Sequence, residues 1–227
     1  MLGISKDAVA VVVSALYIAA AIGASEFLRA RKGYGDEFSR KVVHISVGLW
    51  IIPTLLLFTK WYWAALLPAC AIVGNFLSLR FNVLKGIERG VKSDFGTVFF
   101  PISFVICLVL FFPTKHPEAA AVGIVIMALG DAAAAIYGKA FGRHKYSLMG
   151  AKKSFEGSAA MLVVSALSAF VTLLLFGVAA STAAGVAVLA AALGTVLEAA
   201  GQWGLDNLTV PVACASLAFL LLRAWGG

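Results

Sequence analysis

The sequence predicts an all-α, polytopic integral membrane protein with about eight transmembrane helices, or seven if a short segment does not cross. Three observations carry that prediction. Of 227 residues, 62% are hydrophobic and 13% charged, too little polar surface to cover a water-soluble globule. Mean hydropathy is +0.98. Nearly every segment is an apolar run closed by a short polar connection, so residues 1–227 are expected to form a single membrane-embedded domain.

A helix crossing a ~30 Å hydrocarbon core needs roughly 20 residues. The first apolar run, from Asp7 to Leu28, carries small residues at Ala21 and Ala24 that resemble a signal-peptide cleavage site. Its length and the basic cluster behind it predict a retained helix over 8–28. Further spans follow at 42–58, 62–79, 97–112, 119–138, 157–177, 182–200 and 208–224, of which 97–112 and 208–224 are short. Between the third and fourth, 80-RFNVLKGIERGVKSD-94 places Phe81, Leu84, Ile87 and Val91 at near-helical spacing among basic residues, the pattern of a helix lying in the interface. Cys70, Cys107 and Cys214 stand singly in apolar runs, without the paired spacing of a zinc or redox motif.

The net charge of +7 is compatible with nucleic-acid binding, but its distribution points to a membrane instead. The loops between spans 1 and 2, 3 and 4, and 5 and 6 hold 14 of the 18 Lys and Arg residues. Lys6, Lys60, Lys115 and Arg223 remain for the other side. The positive-inside rule places the three basic loops in the cytoplasm and both termini outside.

Ionisable groups inside a membrane are costly and mark function or a paired structural site. With this topology Asp131 sits on the order of 10 Å below the cytoplasmic end of span 5. His44 and Asn75 lie near the same face, Glu198 closes span 7, and Asp206 and Asn207 open span 8. Carboxylates facing a surface of Arg and Lys suit a polyphosphate carrying Mg²⁺: hard oxygens hold the metal and cations the phosphates. Gly130, Ala134, Gly138 and Gly142 recur every four residues and let a helix or a ligand approach the backbone. Lys139, Arg143, His144 and Lys145, followed by 152-KKSFEG-157, form a basic, glycine-punctuated loop suited to phosphates, although no GxxxxGK[ST] motif occurs.

These residues resemble the CTP-dependent lipid-alcohol kinases: dolichol kinase, phytol kinase and CTP-using diacylglycerol kinase. The resemblance lies in 40-RKVVH-44, in 130-GDAAAAIYGKAFGRHK-145 with 153-KSFEG-157, and in 206-DNLTVP-211, in that order across most of the chain. The middle stretch is also similar to phosphatidate cytidylyltransferases, but their C-terminal Asp-Arg-x-Asp pattern is missing. The resemblance implies CTP as phosphoryl donor and a lipid alcohol as acceptor, phosphorylated at the cytoplasmic face. An isoprenoid alcohol such as phytol or a polyprenol is the expected acceptor, and diacylglycerol the alternative.

On that footing Asp131 is expected to bind Mg²⁺, aided by Glu156 or Asp206. Arg143, Lys145, Lys152, Lys153 and Ser154 would hold the triphosphate, with Arg40 and Lys41 closing from the other side and Asn207 beside them. Gly138 and Gly142 would admit the nucleotide to the backbone. A carboxylate among Asp131, Glu198 and Asp206, or His44, would activate the hydroxyl. A cytidylyltransferase making a CDP-lipid is the second reading. A transporter is disfavoured, because its polar groups would continue through both halves of the membrane. No nucleic-acid partner is expected, and the sequence carries no signal for an oligomeric state.

Overall fold

The computed structural model describes residues 5–32, 36–81 and 95–225. The helices are α1 (Lys6–Lys32), α2 (Asp36–Leu49), α3 (Ile51–Leu57), α4 (Trp61–Ala64), α5 (Leu66–Phe81) and α6 (Gly96–Phe111). After these come α7 (Glu118–Val125), a π-helical turn (Ile126–Gly130), α8 (Asp131–Phe141), α9 (Phe155–Leu175), α10 (Ala180–Ala200) and α11 (Asp206–Trp225). Among the described residues, seven helical runs are long and apolar enough to cross a membrane. Gly96–Phe111 is a shorter eighth. The protein is an all-α integral membrane protein, and the spans expected from hydropathy agree with the helices to within a few residues. The interfacial helix expected over 80–94 lies, beyond Phe81, outside the described residues.

Two spans expected to be continuous are interrupted, each by a proline. Pro53 cannot donate to the carbonyl of Leu49, its partner four residues back, and its ring crowds that oxygen. The run accordingly divides between α2 and α3 at Trp50. Pro68 stands in the same relation to Ala64, where α4 ends and α5 begins one residue later.

The run Glu118–Phe141, formed by α7, the π turn and α8, is the axis of the bundle. In its most apolar stretch 83% of residues are buried, against 17–33% in the other spanning runs. Small residues make that central position attainable, because they let neighbouring backbones close in. A Cβ on Gly123 would lie 2.2 Å from the Pro211 carbonyl oxygen in α11, and one on Gly48 of α2 would lie 2.3 Å from the Ala128 Cβ. The π turn immediately precedes Asp131. Its wider turn rotates the helix face that follows, a device common at functional sites.

One element was not anticipated. Between α8 and α9, where the sequence suggests only a basic loop, β1 (Lys145–Leu148) and β2 (Ala151–Ser154) form an antiparallel hairpin with Lys145 opposite Ser154 and Leu148 opposite Ala151. Its two-residue turn has positive φ at both positions, Met149 at 50° and Gly150 at 90°. Those torsions match the twist of the strands, as in type I′ hairpins. The Tyr146 hydroxyl and Ser158 Oγ, 2.6 Å apart, tie the hairpin to α9.

Candidate active site

The hairpin, α8, the end of α10 and the starts of α2, α9 and α11 surround a polar cavity of about 510 Å³, within the usual size range of small-molecule sites. Arg40 and Lys41 enter from α2, and Asp131 and Gly138 from α8. Lys145, Lys152, Lys153 and Ser154 come from the hairpin, Glu198 from the end of α10 and Asp206 from the first residue of α11. The structure thus brings together ten of the residues singled out in the sequence, drawn from positions up to 166 residues apart, Arg40 to Asp206.

Two buried ion pairs organise the cavity. The Lys41 ammonium binds the Asp131 carboxylate, both side chains being 10% exposed. The Lys153 ammonium binds Glu198, whose side chain is 3% exposed. Glu198 uses only one oxygen in this contact. Its Oε2 is buried without a hydrogen-bond partner among the described residues. Burial alone pulls the Lys153 pKa down, but Glu198, with Asp206 and Asp131 behind it, outweighs that effect and holds it above the ordinary lysine value. Lys153 is therefore a cation at any physiological pH.

Asp206 heads α11, and its Oδ1 accepts from the Asn207 backbone N–H at 3.0 Å and from Asn207 Nδ2 at 3.1 Å. Asn207 Nδ2 also reaches the Gly204 carbonyl at 3.3 Å, so this side chain orients Asp206 and does not itself line the cavity. Ser154 caps α9 by accepting from the Gly157 N–H at 3.1 Å while remaining on the cavity wall. Gly138 passes closely enough that a Cβ would stand 3.2 Å from Ser154 Oγ.

Several expected residues lie elsewhere. Glu156, placed in the sequence reading beside Asp131, turns instead to His144, accepting from its backbone N–H at 3.2 Å with Nδ1 at 2.7 Å. It thereby fastens the base of the hairpin and leaves the cavity. The reason is local: Glu156 stands in the first turn of α9, and its carboxylate reaches the backbone N–H of the residue before β1. Arg143 and Gly142 are also outside the cavity. A Cβ on Gly142 would lie 2.2 Å from the Gly138 carbonyl and 2.8 Å from Ser154 Oγ, so the glycine is required by packing. Asn75 joins α5 to α6 through a 2.7 Å hydrogen bond from Nδ2 to the Thr97 carbonyl.

Among the described residues no three His, Cys, Asp or Glu side chains form a ready-made metal cage. Asp131, Glu198 and Asp206 nevertheless share one cavity, and Glu198 has a free oxygen there. Mg²⁺ commonly takes one or two protein carboxylates and completes its shell with water and substrate phosphates. This donor set fits such an ion.

The sequence reading missed a second feature. An apolar groove runs from the cavity into the membrane-spanning part of the bundle, with Arg40, Lys41 and Asp131 at the junction of the two. It is lined by one stripe from each of α1, α2–α3, α5 and α6, and His44 and Asn207 lie on its wall. His44 Nε2 is buried with no hydrogen-bond partner among the described residues. The hydropathy pattern could not reveal the groove, because its residues are as apolar as those that face lipid.

The model of the cytidylyltransferase family matches residues 2–205. A phytol kinase of Synechocystis sp. is 33% identical over 222 residues, covering 96% of this chain and 94% of its own. A probable chloroplastic phytol kinase of Triticum aestivum is 29% identical over 220 residues, covering 88% of this chain and 72% of its own. No solved structure matches the chain. With this similarity spanning both the polar cavity and the groove, the chain belongs to the cytidylyltransferase family, among its lipid-alcohol kinases, and is a phosphotransferase with an alcohol group as acceptor.

Proposed function

We propose that the protein transfers the terminal phosphoryl group of CTP to the hydroxyl of an isoprenoid alcohol, phytol or a related polyprenol, at the cytoplasmic face of the membrane. The observation that carries this reading is the junction at Lys41 and Asp131, where a cation-rich polar cavity opens into an apolar groove. A water-soluble polyphosphate and a membrane-dissolved alcohol can meet there without either leaving its own phase. The kinase names of the two relatives and the isoprenoid named in them support the same assignment. The cytoplasmic orientation rests on the basic loops, two of which supply the cavity's cations.

In this scheme Lys145, Lys152 and Lys153 bind the triphosphate, and Arg40 and Lys41 neutralise charge developing on the transferred group. Asp131, Glu198 and Asp206 would hold an Mg²⁺, which would supply electrostatic withdrawal of charge from the phosphates. The alcohol oxygen bonds to the γ-phosphorus as the bond from that phosphorus to its bridging oxygen breaks, and CDP leaves. A carboxylate of the cavity, or His44 on the groove wall, takes the hydroxyl proton. Domain organisation follows the same logic: the cavity draws on α2, α8, α10 and α11 together, so residues 1–227 act as one catalytic unit.

The test is incubation of purified protein with Mg²⁺, γ-labelled CTP or ATP, and a panel of phytol, geranylgeraniol, long polyprenols and diacylglycerol. Label is expected in an isoprenoid phosphate, with CDP as co-product. Release of pyrophosphate with formation of a CDP-lipid would replace the kinase by a cytidylyltransferase, and labelled phosphatidate alone would replace the acceptor.

A further inference from the structure

Two tight turns each place a bulky apolar residue where glycine or asparagine would fit without strain. Among the described residues, the non-glycine residues with left-handed φ are Met149, at 50°, and Trp203, at 52°. Each is followed by a glycine in the same region, Gly150 at 90° and Gly204 at 79°. Side chains of this size seldom adopt such torsions, because their Cβ crowds the backbone. Packing inside the bundle gives no compensation. Met149 is 74% exposed and Trp203 69%, which with Phe81 makes them the most exposed of the described large apolar side chains. The two turns also abut: a Cβ on Gly150 would lie 3.0 Å from Gln202 Nε2, next to Trp203. Leu148, Leu205 and Phe95 are exposed around them, and the Phe95 N–H donates to the Trp203 carbonyl at 3.1 Å.

The level of this patch follows from its neighbours. Ala180–Ala200 and Asp206–Trp225 are both long and apolar enough to span the membrane, and only residues 201–205 join them. Going out and back, so short a connection rises no more than about 10 Å above the helix ends. Trp203 is therefore confined to the boundary between lipid and water, where a Trp ring buries its apolar body and keeps its N–H hydrated. The contact of Gly150 with Gln202 holds the hairpin turn at the same level. We propose that Met149 and Trp203 form a two-pronged anchor in the headgroup region of the bilayer beside the polar cavity. The anchor steadies the hairpin that brings Lys145, Lys152 and Lys153 to that cavity. The lipid surface compensates for the two unfavourable turns, and the patch is continuous with the lipid-facing surface of α10 and α11.

The test uses the full-length protein, one copy per nanodisc. Cys70, the exposed cysteine, is replaced in Cys70→Ser, and Met149→Cys carries an environment-sensitive fluorophore. Blue-shifted emission is expected, quenched at least ~threefold more strongly by a spin label at the headgroup boundary than by one at the bilayer centre, and little by iodide. Iodide quenching as strong as that of the free dye would overturn the anchor. Shielding from iodide and from both spin labels would point to a protein contact and overturn it as well. Met149→Asn/Trp203→Asn removes both prongs but keeps residues that accept left-handed φ. Turn chemistry alone predicts slower amide exchange in Lys145–Ser154 for this variant. The anchor predicts exchange in nanodiscs faster by about threefold or more, and exchange that is unchanged or slower refutes it. Neither readout involves turnover, so failure of the anchor leaves the kinase reading intact, and failure of phosphoryl transfer leaves the anchor intact.

Discussion

Lys41→Met is the most informative single perturbation, because the buried Lys41–Asp131 pair makes separable predictions for stability and for chemistry. With both side chains 10% exposed, the attraction is on the scale of roughly 4 kcal/mol at an effective dielectric of 20. Desolvation offsets much of that in the intact pair, but removing one partner strands a buried charge and costs about 3–5 kcal/mol. For a chain of this size, that lowers the melting temperature in detergent by about 10 °C. Lys41→Met/Asp131→Asn removes both charges and is expected to regain all but about 1 kcal/mol of the loss. Labelled phosphoryl transfer to phytol would behave differently. Loss of an electrostatic contact to the transferred group lowers kcat/KM by about 10²–10³, and the double variant stays at least as inactive. Recovery of both stability and activity in the double variant would show the pair to be structural and refute its place in the chemistry. A stable, active Lys41→Met would refute the account of the pair altogether.

Other outcomes follow from neighbouring contacts. Glu156→Gln is expected to leave the Mg²⁺ dependence of transfer unchanged while speeding amide exchange in the Lys145–Ser154 hairpin, because it weakens the His144 contact; Asp206→Asn is expected to raise the Mg²⁺ requirement at least ~10-fold. Lys153, whose pKa is raised, stabilises the fold fully below the ordinary lysine value and loses that contribution as pH rises through its higher folded value. Melting temperature should therefore show an alkaline decline above about pH 10.5 that is smaller in Lys153→Met/Glu198→Gln. Gly130→Ala places a Cβ 2.2 Å from Ser165 Oγ and is expected to cost about 1–3 kcal/mol by thermal unfolding, with partial relief in Gly130→Ala/Ser165→Ala.

Much of the cavity was legible because charge is conspicuous in an apolar chain. Asp131, Glu198 and Asp206 stand out in their helices, and the lysines of 152-KKSFEG-157 stand out as a cluster of charge between two apolar runs. What escaped was partner choice. Nothing in the spacing of Glu156 tells that it returns to His144, or that Lys153 reaches across 45 residues to Glu198, since both are decided by how α8, α9 and α10 meet. The hairpin left a weak trace in Met149-Gly150, a pair that accepts positive φ only at its glycine without strain.

The sequence by itself determined the spans, their approximate ends, the basic face and most residues of the polar cavity. Hydropathy and charge are local properties, and the membrane sorts them independently of how the helices pack. Only the tertiary structure decided which helix became the axis, which carboxylate each lysine neutralises, and that apolar stripes of separate helices leave a groove between them. Lipid tails and helix interiors are equally apolar, so a side chain facing either has the same signature, and close packing alone separates a wall from a cavity.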